Sequence, residues 1–319
     1  MKIKRFFLHI VIMMIGLMAC GCKKDGQNVL VVLGSQSELT YDSLEAAVTQ
    51  WAQENEVSLK IVAPTLPTVY GQEEELEKAL PEQKWDLVVI EPLGNNELYP
   101  LLDYAKSQGS TVVSIQGSPG LYADYTIQPC DYEELGSSMM DVFAEAMGKT
   151  GSYVTIVPTK DSEIVLEEEL ACVTRQKNSY TQMLATSRLQ EGSNIQAVAE
   201  VVNDLYEAYE MEGVLFFSYV QGLGVSQWKQ STGQDLIAVG VGDLEMMQTA
   251  MDAGTIDALF SWNRENLVLT SLEVGFKAVQ GSIEKDADVI TTGIDGYRTL
   301  RSLGNGVYYG NDISVEYRK

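Results

Sequence analysis

Polar and aromatic side chains follow the apolar runs of this chain at several points where a run ends. Those that come directly after such runs, or begin the next helical segment, are Ser35, Gln36, Tyr41, Glu91, Gln116, Asp161 and Tyr219. Amide, hydroxyl and carboxylate groups can exchange hydrogen bonds with ligand hydroxyls, and a tyrosine ring offers a flat face to C–H groups. This mixture favours a binding site for a small polar ligand such as a sugar, although Tyr219 could instead lie on the surface.

The near absence of histidine restricts the catalytic chemistry that is open to the chain. The only histidine is His9, inside an N-terminal segment that has the pattern of a cleaved signal. A mature chain without histidine excludes Ser-His and Cys-His nucleophiles and His-ligated zinc. Glycoside hydrolysis by two carboxylates stays open as an alternative, but no facing pair of acids can be assigned. We therefore expect no catalytic residues, no cofactor and no metal ion.

Several acidic residues have a structural interpretation. The glutamate runs 73–75 and 167–169 could be read as cation sites. Both lack the Asp, Asn and Gly spacing of a calcium loop, so we interpret them as solvated helix faces. Asp243 precedes Leu244-Glu245 and is interpreted as the N-cap of the following helix rather than as a ligand group.

The charge of the chain excludes one class of partner. The 319 residues include 22 basic and 45 acidic side chains, for a formal net charge of −23. Without the three basic residues of the signal segment, 19 basic and 45 acidic residues remain, a formal charge of −26. Such a surface repels nucleic acid, so no nucleic-acid partner is expected.

Cys130 and Cys172 could form a disulfide in an exported protein or remain buried free thiols, and their spacing does not decide between these states.

The N-terminus has the pattern of an export signal. Basic residues within 2–5 precede an apolar run, Phe6–Met18, which is shorter than the roughly 18 residues that a membrane crossing needs. Cys20 directly follows Leu17-Met18-Ala19, an arrangement that resembles the lipobox of bacterial lipoproteins. The resemblance implies a signal peptide over 1–19, a lipid on Cys20, a tether over 20–27 and an anchored, extracytoplasmic location at the cell membrane. An ordinary cleaved signal and acylation of Cys22 are the alternatives.

The elements that must position the candidate side chains alternate between strand and helix. Apolar strand-like runs lie at Val29–Leu33, Leu59–Val62, Asp86–Ile90, Thr111–Ile115, Ser152–Val157, Val214–Phe217, Leu236–Val241 and Ile256–Phe260. Amphipathic helical segments separate most of them, which predicts an α/β fold of two doubly wound, parallel-sheet lobes. In such sheets ligands bind beyond the carboxyl ends of the strands, where the candidate side chains would then meet.

Five stretches of the chain carry a resemblance to a known family. They are the loop Ala63–Gln72, the strand Trp85–Ile90, the segment Tyr125–Gln128, the strand and turn Ile237–Asp243, and Phe260–Asn263. In this order they resemble the type I periplasmic sugar-binding proteins, especially the autoinducer-2 and rhamnose-binding branch. The resemblance covers nearly the whole mature chain.

The resemblance implies a periplasmic binding protein of type I, with a multi-strand hinge between its lobes. It assigns 28–127 plus about 262–284 to the first lobe and 128–261 plus about 285–319 to the second. Gln128 and Asn263 would then lie in hinge crossovers at the cleft floor, beside Trp262, which could be a ring platform or simply core packing. The implied partners are a small polar, carbohydrate-like ligand and an ABC transporter permease, and the implied protein is not an enzyme. Presentation of the ligand to a membrane histidine kinase is the alternative.

The sequence departs from the family at ligand-contacting positions. Gly242 stands where the wider family has an aspartate, and Gln116 stands where the autoinducer-2 binders have one. These changes remove family contacts, so the resemblance does not identify the ligand.

Overall fold

Two β-sheets, each flanked by helices, form the protein. A computed structural model describes residues 26–36, 40–94, 97–117, 122–158, 163–192 and 194–318, without the side chains of residues 163 and 164. The expected signal peptide, most of the tether, Cys20, Cys22 and the candidate Asp161 lie outside these ranges. Within them, no helix is long and apolar enough to cross a membrane.

The described elements alternate along most of the chain. The strands are β1 (Asn28–Val32), β2 (Ser58–Val62), β3 (Leu87–Ile90), β4 (Thr111–Ile115), β5 (Tyr125–Gln128), β6 (Gly151–Val157), β7 (Met183–Gln190), β8 (Gly213–Phe216), β9 (Ile237–Val241), β10 (Ala258–Ser261), β11 (Val289–Thr291), β12 (Thr299–Gly304), β13 (Val307–Tyr309) and β14 (Ser314–Tyr317). The helices are α1 (Tyr41–Glu54), α2 (Val69–Ala79), α3 (Tyr99–Ser107), α4 (Tyr132–Ala146), α5 (Glu163–Ser179), α6 (Ile195–Tyr209), α7 (Tyr219–Thr232), α8 (Leu244–Asp252) and α9 (Arg264–Val279). A 3-10 turn, Leu80–Glu82, follows α2.

The first sheet has eight strands in the order β11-β12-β13-β5-β4-β3-β1-β2. Strand β1 pairs in parallel with both β2 and β3. Val29 and Val31 pack into the core on one face of the sheet, and Leu30 and Val32 into the core on the other. A parallel strand covered on both faces needs apolar residues at every position, which explains the continuous apolar run.

The second sheet has six strands in the order β14-β10-β9-β8-β6-β7. All its pairs are parallel except β10 with β14. Helices α4 and α5 pack on one face, and α6 and α7 on the other. The two α/β lobes confirm the expected fold class.

The sheet order corrects the predicted assignment of residues 285–319 to the second lobe. Strands β11, β12 and β13 are hydrogen-bonded in the first sheet, where β13 pairs with β5, and only β14 joins the second sheet. Strand β5, expected only as a crossover segment, and strands β7 and β11 to β14 are also additional to the runs expected from the sequence. Most residues of β7 and β11 to β14 are partly or fully exposed, so these strands lack the apolar pattern that marks a buried strand.

Three chain crossovers join the lobes and contact one another. They follow β5, β10 and β13, at residues 128–131, 261–263 and 310–313. The Gly310 amide donates to the Gln128 carbonyl at 3.0 Å, and the Asn263 amide donates to Oδ2 of Asp312 at 3.0 Å. Half-buried Trp262 packs against cores of both lobes. These contacts place the crossovers in one hinge.

Candidate functional site

The strand ends of the first lobe meet at one edge of the sheet, because β4, β3 and β1 are neighbours. Ser35 and Gln36, which follow β1, are used to hold the loop after β2. The Ser35 hydroxyl, on a fully buried residue, donates to the Thr65 carbonyl at 3.3 Å. The Gln36 side-chain amide donates to the Ala63 carbonyl at 3.0 Å. Both predicted ligand groups therefore form internal hydrogen bonds. These bonds shape the first-lobe wall, by which we mean the segments that follow β1, β2 and β3 at this edge of the sheet.

Glu91, at the end of β3, is paired with a residue that the sequence analysis missed. Arg264 donates from Nε to Oε1 of Glu91 at 2.9 Å and from Nη2 to Oε2. The Gly34 amide donates to the same Oε2 at 3.0 Å. Arg264 is the first residue of α9, where a positive charge opposes the helix dipole, and that unfavourable position was a sequence signal for a nearby anion.

Gln72 stabilises the first-lobe wall through hydrogen bonds of its buried side chain. Its side chain is fully buried on α2 and donates from Nε2 to the carbonyls of Glu91, at 2.7 Å, and Leu33, at 3.3 Å. Its Oε1 accepts from the Leu93 amide at 2.9 Å. Gln72 belongs to the loop that carries the family resemblance, and here it fixes the ends of β1 and β3.

Gln116 connects the first lobe to the second. It follows β4 in the left-handed region, with φ of 53°, and its Nε2 donates to the Tyr132 hydroxyl on α4 at 3.2 Å. Tyr132 is buried, which raises the pKa of its phenol, so the group stays protonated, and its oxygen accepts this bond through a lone pair. The Gln116 amide donates to the Ile127 carbonyl at 2.9 Å, which places Gln116 beside the end of β5.

Gln128 ends β5 at the hinge and is 6% exposed. Its Oε1 is buried and contacts no hydrogen-bond donor in the described part of the structure. An unsatisfied buried amide costs about 1–3 kcal/mol in protein mutational data. A buried amide oxygen without a donor is chemically able to accept a hydrogen bond from a hydroxyl group.

The remaining candidates have mixed environments. Tyr41 is half-buried against the first-lobe core, and burial followed by the nearby Glu45 carboxylate raises its pKa. Tyr219 begins α7 and is half-buried. Asn263 is exposed, and its Oδ1 caps α9 by accepting from the Asn266 amide at 2.9 Å.

Two structural interpretations of acidic residues have different outcomes. Asp243 caps α8 by accepting from the Met246 amide at 3.1 Å, as expected. The solvated-face interpretation of 167–169 is wrong, because Glu168 and Glu169 are 2% and 7% exposed. Glu169 accepts from Thr155 at 3.0 Å and pairs with Arg188, so α5 turns these carboxyl groups toward the sheet and α4 rather than toward water.

Buried Glu168 has a protonation state set by its surroundings. Desolvation, with a smaller contribution from Glu167, raises its pKa to about 8. Burial raises the pKa values of the neighbouring groups Cys130 and Tyr132 near the hinge, and Glu168, when ionised, adds a smaller contribution. Cys130 and Cys172 are both buried free thiols, which decides between the two states left open by the sequence. No group of three or more metal-ligating side chains occurs among the described residues.

Comparisons with known proteins agree with this architecture. A family model described as a periplasmic binding protein domain matches residues 29–283. An ABC transporter solute-binding protein from Clostridium phytofermentas, with bound L-rhamnose, superposes with a TM-score of 0.80 at 15% identity over 92% of this chain and 96% of that chain. LsrB from Clostridium saccharobutylicum, in complex with AI-2, gives 0.77 at 12% identity over 91% and 97%. The glucose-galactose binding protein GanP from Geobacillus stearothermophilus gives 0.77 at 14% identity over 92% and 98%. No curated protein sequence matches the chain.

Proposed function

This chain belongs to the periplasmic binding protein domain family, whose model matches residues 29–283, and from that premise we propose that it captures a small polar solute between its lobes. The proposed ligand is a sugar or sugar-like compound. The solved neighbours with bound L-rhamnose and AI-2 support this class of ligand, while their low identity leaves the individual compound open.

The buried amide of Gln128 carries the proposal. Its Oε1 has no donor among the described residues, although it lies at the hinge where the two lobes meet. Gln116, beside it, also presents a neutral amide, and an amide serves both as donor and as acceptor. Neutral donor and acceptor pairs suit hydroxyl groups, which require both partners.

Ligand capture would close the lobes about the crossovers. A hinge of three crossovers permits a rotation of the lobes while the sheets stay rigid. The closed form would then deliver the ligand to an ABC permease. Cys20, as an acylated N-terminus, would keep the protein at the outer face of the cell membrane.

The test is a thermal-shift screen of the mature protein against sugars, polyols, furanones and nucleosides. A ligand at 100 times its Kd should stabilise the protein by about 2.7 kcal/mol. Gln128→Met should then weaken the best hit by about tenfold or more without lowering the melting temperature, because the amide oxygen it removes has no donor among the described residues. The matched control is Gln53→Met, on the exposed side of α1.

Two results would contradict the proposal. One is that no small polar solute shifts the melting temperature of the wild-type protein. The other is that Gln128→Met binds the best hit as tightly as Gln53→Met does. The anchor is tested separately, since Cys20→Ala should move the protein from the membrane fraction to the soluble extracellular fraction.

A further inference from the structure

Arg264 ties three elements of the first lobe together at the candidate cleft. It begins α9, two residues after Trp262 of the hinge, and its guanidinium contacts both Glu91, at the end of β3, and Thr40, before α1. The Arg264 and Glu91 side chains are each 17% exposed. The pair is therefore mostly buried, and its bonds place it where β1 and β3 end.

The side chain of Thr40 bonds to Arg264 and does not cap α1. Thr40 occupies the N-cap position of α1, but its side chain accepts no bond from that helix. Its Oγ1 instead accepts from Nη1 of Arg264 at 3.0 Å. A threonine at this position normally contributes about 1 kcal/mol by capping. Here the threonine hydroxyl bonds to Arg264 instead, and that bond holds the start of α1, where Tyr41 lies.

Both carboxylate oxygens of Glu91 are used within the protein. Oε1 accepts from Nε of Arg264, and Oε2 accepts from Nη2 of Arg264 and from the Gly34 amide. A bidentate guanidinium–carboxylate pair fixes geometry as well as charge. Glu91 thereby holds the turn after β1, and its negative charge is cancelled where it would otherwise reach the cleft.

We propose that Arg264 is a positioning residue for ligand capture. By pairing with Glu91 it fixes the turn at Gly34 and makes the first-lobe wall electrically neutral, so that the cleft selects uncharged polar ligands over cationic ones. The selection of ligands rests on the proposed function, whereas the positioning of the wall does not.

The positioning arm needs no ligand. Hydrogen exchange read by mass spectrometry should show faster exchange at the amides of residues 33–36 in Arg264→Met, by about tenfold or more, because the Gly34 bond to Glu91 loses its support. Arg264→Lys keeps the positive charge but cannot form the bidentate bond to Glu91. Its exchange rate at these amides should lie between those of wild type and Arg264→Met. Arg298→Met is the control, since it removes an exposed arginine whose side chain pairs with Asp295, far from Gly34 in the chain. Exchange in Arg264→Met equal to that in Arg298→Met overturns the proposal.

The selection arm uses two matched probe pairs, D-galactose with D-galactosamine and D-glucose with D-glucosamine. Arg264→Met exposes an uncompensated carboxylate, so the affinity ratio should move toward the amino sugar by about tenfold or more, while Arg264→Lys keeps the wild-type ratio. An unchanged ratio in Arg264→Met overturns the neutral-wall assignment, and so does an equal change in Arg264→Lys. If no neutral solute binds the wild-type protein, the proposed function and the selection built on it fail together, and the exchange data still decide the positioning.

Discussion

The protonation of Glu168 predicts an unusual dependence of stability on pH. Its side chain is 2% exposed on α5, at a point where α5 lies close to α4. At Gly136 of α4, an added Cβ would stand 2.2 Å from the Glu168 carbonyl oxygen, so the two helices are in close contact at this point. Burial favours the neutral acid and raises the pKa from the usual 4.5 to about 8.

The sign and size of the effect follow from proton linkage. Between these two pKa values the folded protein holds a proton on Glu168 that the unfolded chain has released, so stability falls as pH rises. The full stability is present below about pH 4.5, and the loss is complete above about pH 8. Since one pKa unit corresponds to about 1.4 kcal/mol, the total loss is roughly 5 kcal/mol.

Glu168→Gln keeps the shape of the neutral acid and removes its titration. The variant should match wild type near pH 4 and exceed it by several kcal/mol near pH 9, on the order given by the linkage. Urea unfolding followed by circular dichroism at pH 4, 5, 6, 7, 8 and 9 measures the difference, in which the titration of other groups cancels. Glu77→Gln, on the exposed side of α2, is the control for replacing a carboxyl group by an amide. A Glu168→Gln difference that stays flat between pH 5 and pH 9 would refute the reasoning.

Further expected outcomes test the packing. Gly240→Ala should destabilise by about 2 kcal/mol or more, because its Cβ would stand 2.2 Å from the Phe216 carbonyl oxygen, whereas Gly293→Ala, with open space around it, should stay within about 0.5 kcal/mol. Both are measured by urea unfolding, and equal effects would contradict the packing argument. Cys172 should resist iodoacetamide at pH 8 until the protein unfolds, because burial raises its pKa and excludes the reagent; rapid alkylation of its peptide in the native protein, seen by mass spectrometry, would contradict this. Asp243→Ala should lower stability by about 1 kcal/mol through loss of the α8 cap, and an unchanged unfolding midpoint would count against that role.

The sequence predicts the buried part of the fold well and its edges poorly. Val29–Leu33 could be recognised because a parallel strand covered on both faces needs apolar residues throughout. Strand β7, Met183–Gln190, lies at the sheet edge, where only its first residue is buried, so no apolar pattern marks it. Strands β11 to β13 return to the first sheet after α9, and a return of this kind depends on tertiary pairing that local patterns do not encode.

At the candidate site, the positions of the polar residues could be predicted from the sequence, but their hydrogen-bond partners could not. The end of β3 correctly indicated that Glu91 lies at the sheet edge, because strand ends are set by local patterns. Its partner Arg264 lies 173 residues away in the chain, and such a pair cannot be read from one sequence. The side chains of Ser35 and Gln36 also bond to a loop from another part of the chain. Residue type thus predicts the chemistry available at a strand end, whereas tertiary contacts decide whether that chemistry is free for a ligand.

The distribution of charge around the hinge supports an uncharged ligand. The chain carries a formal net charge of −23, yet three carboxylates of the described residues near the strand ends and crossovers each meet a donor. Glu91 pairs with Arg264, Asp243 accepts from the α8 backbone, and Asp312 accepts from the Asn263 amide. Gln128, whose buried Oε1 lacks a donor in the described ranges, is itself neutral. The nearby carboxylates have partners, whereas the Gln128 amide oxygen lacks a donor among the described residues. Ligand recognition at this hinge should therefore depend on hydrogen bonds to hydroxyl groups. The affinity should then be weakly sensitive to ionic strength.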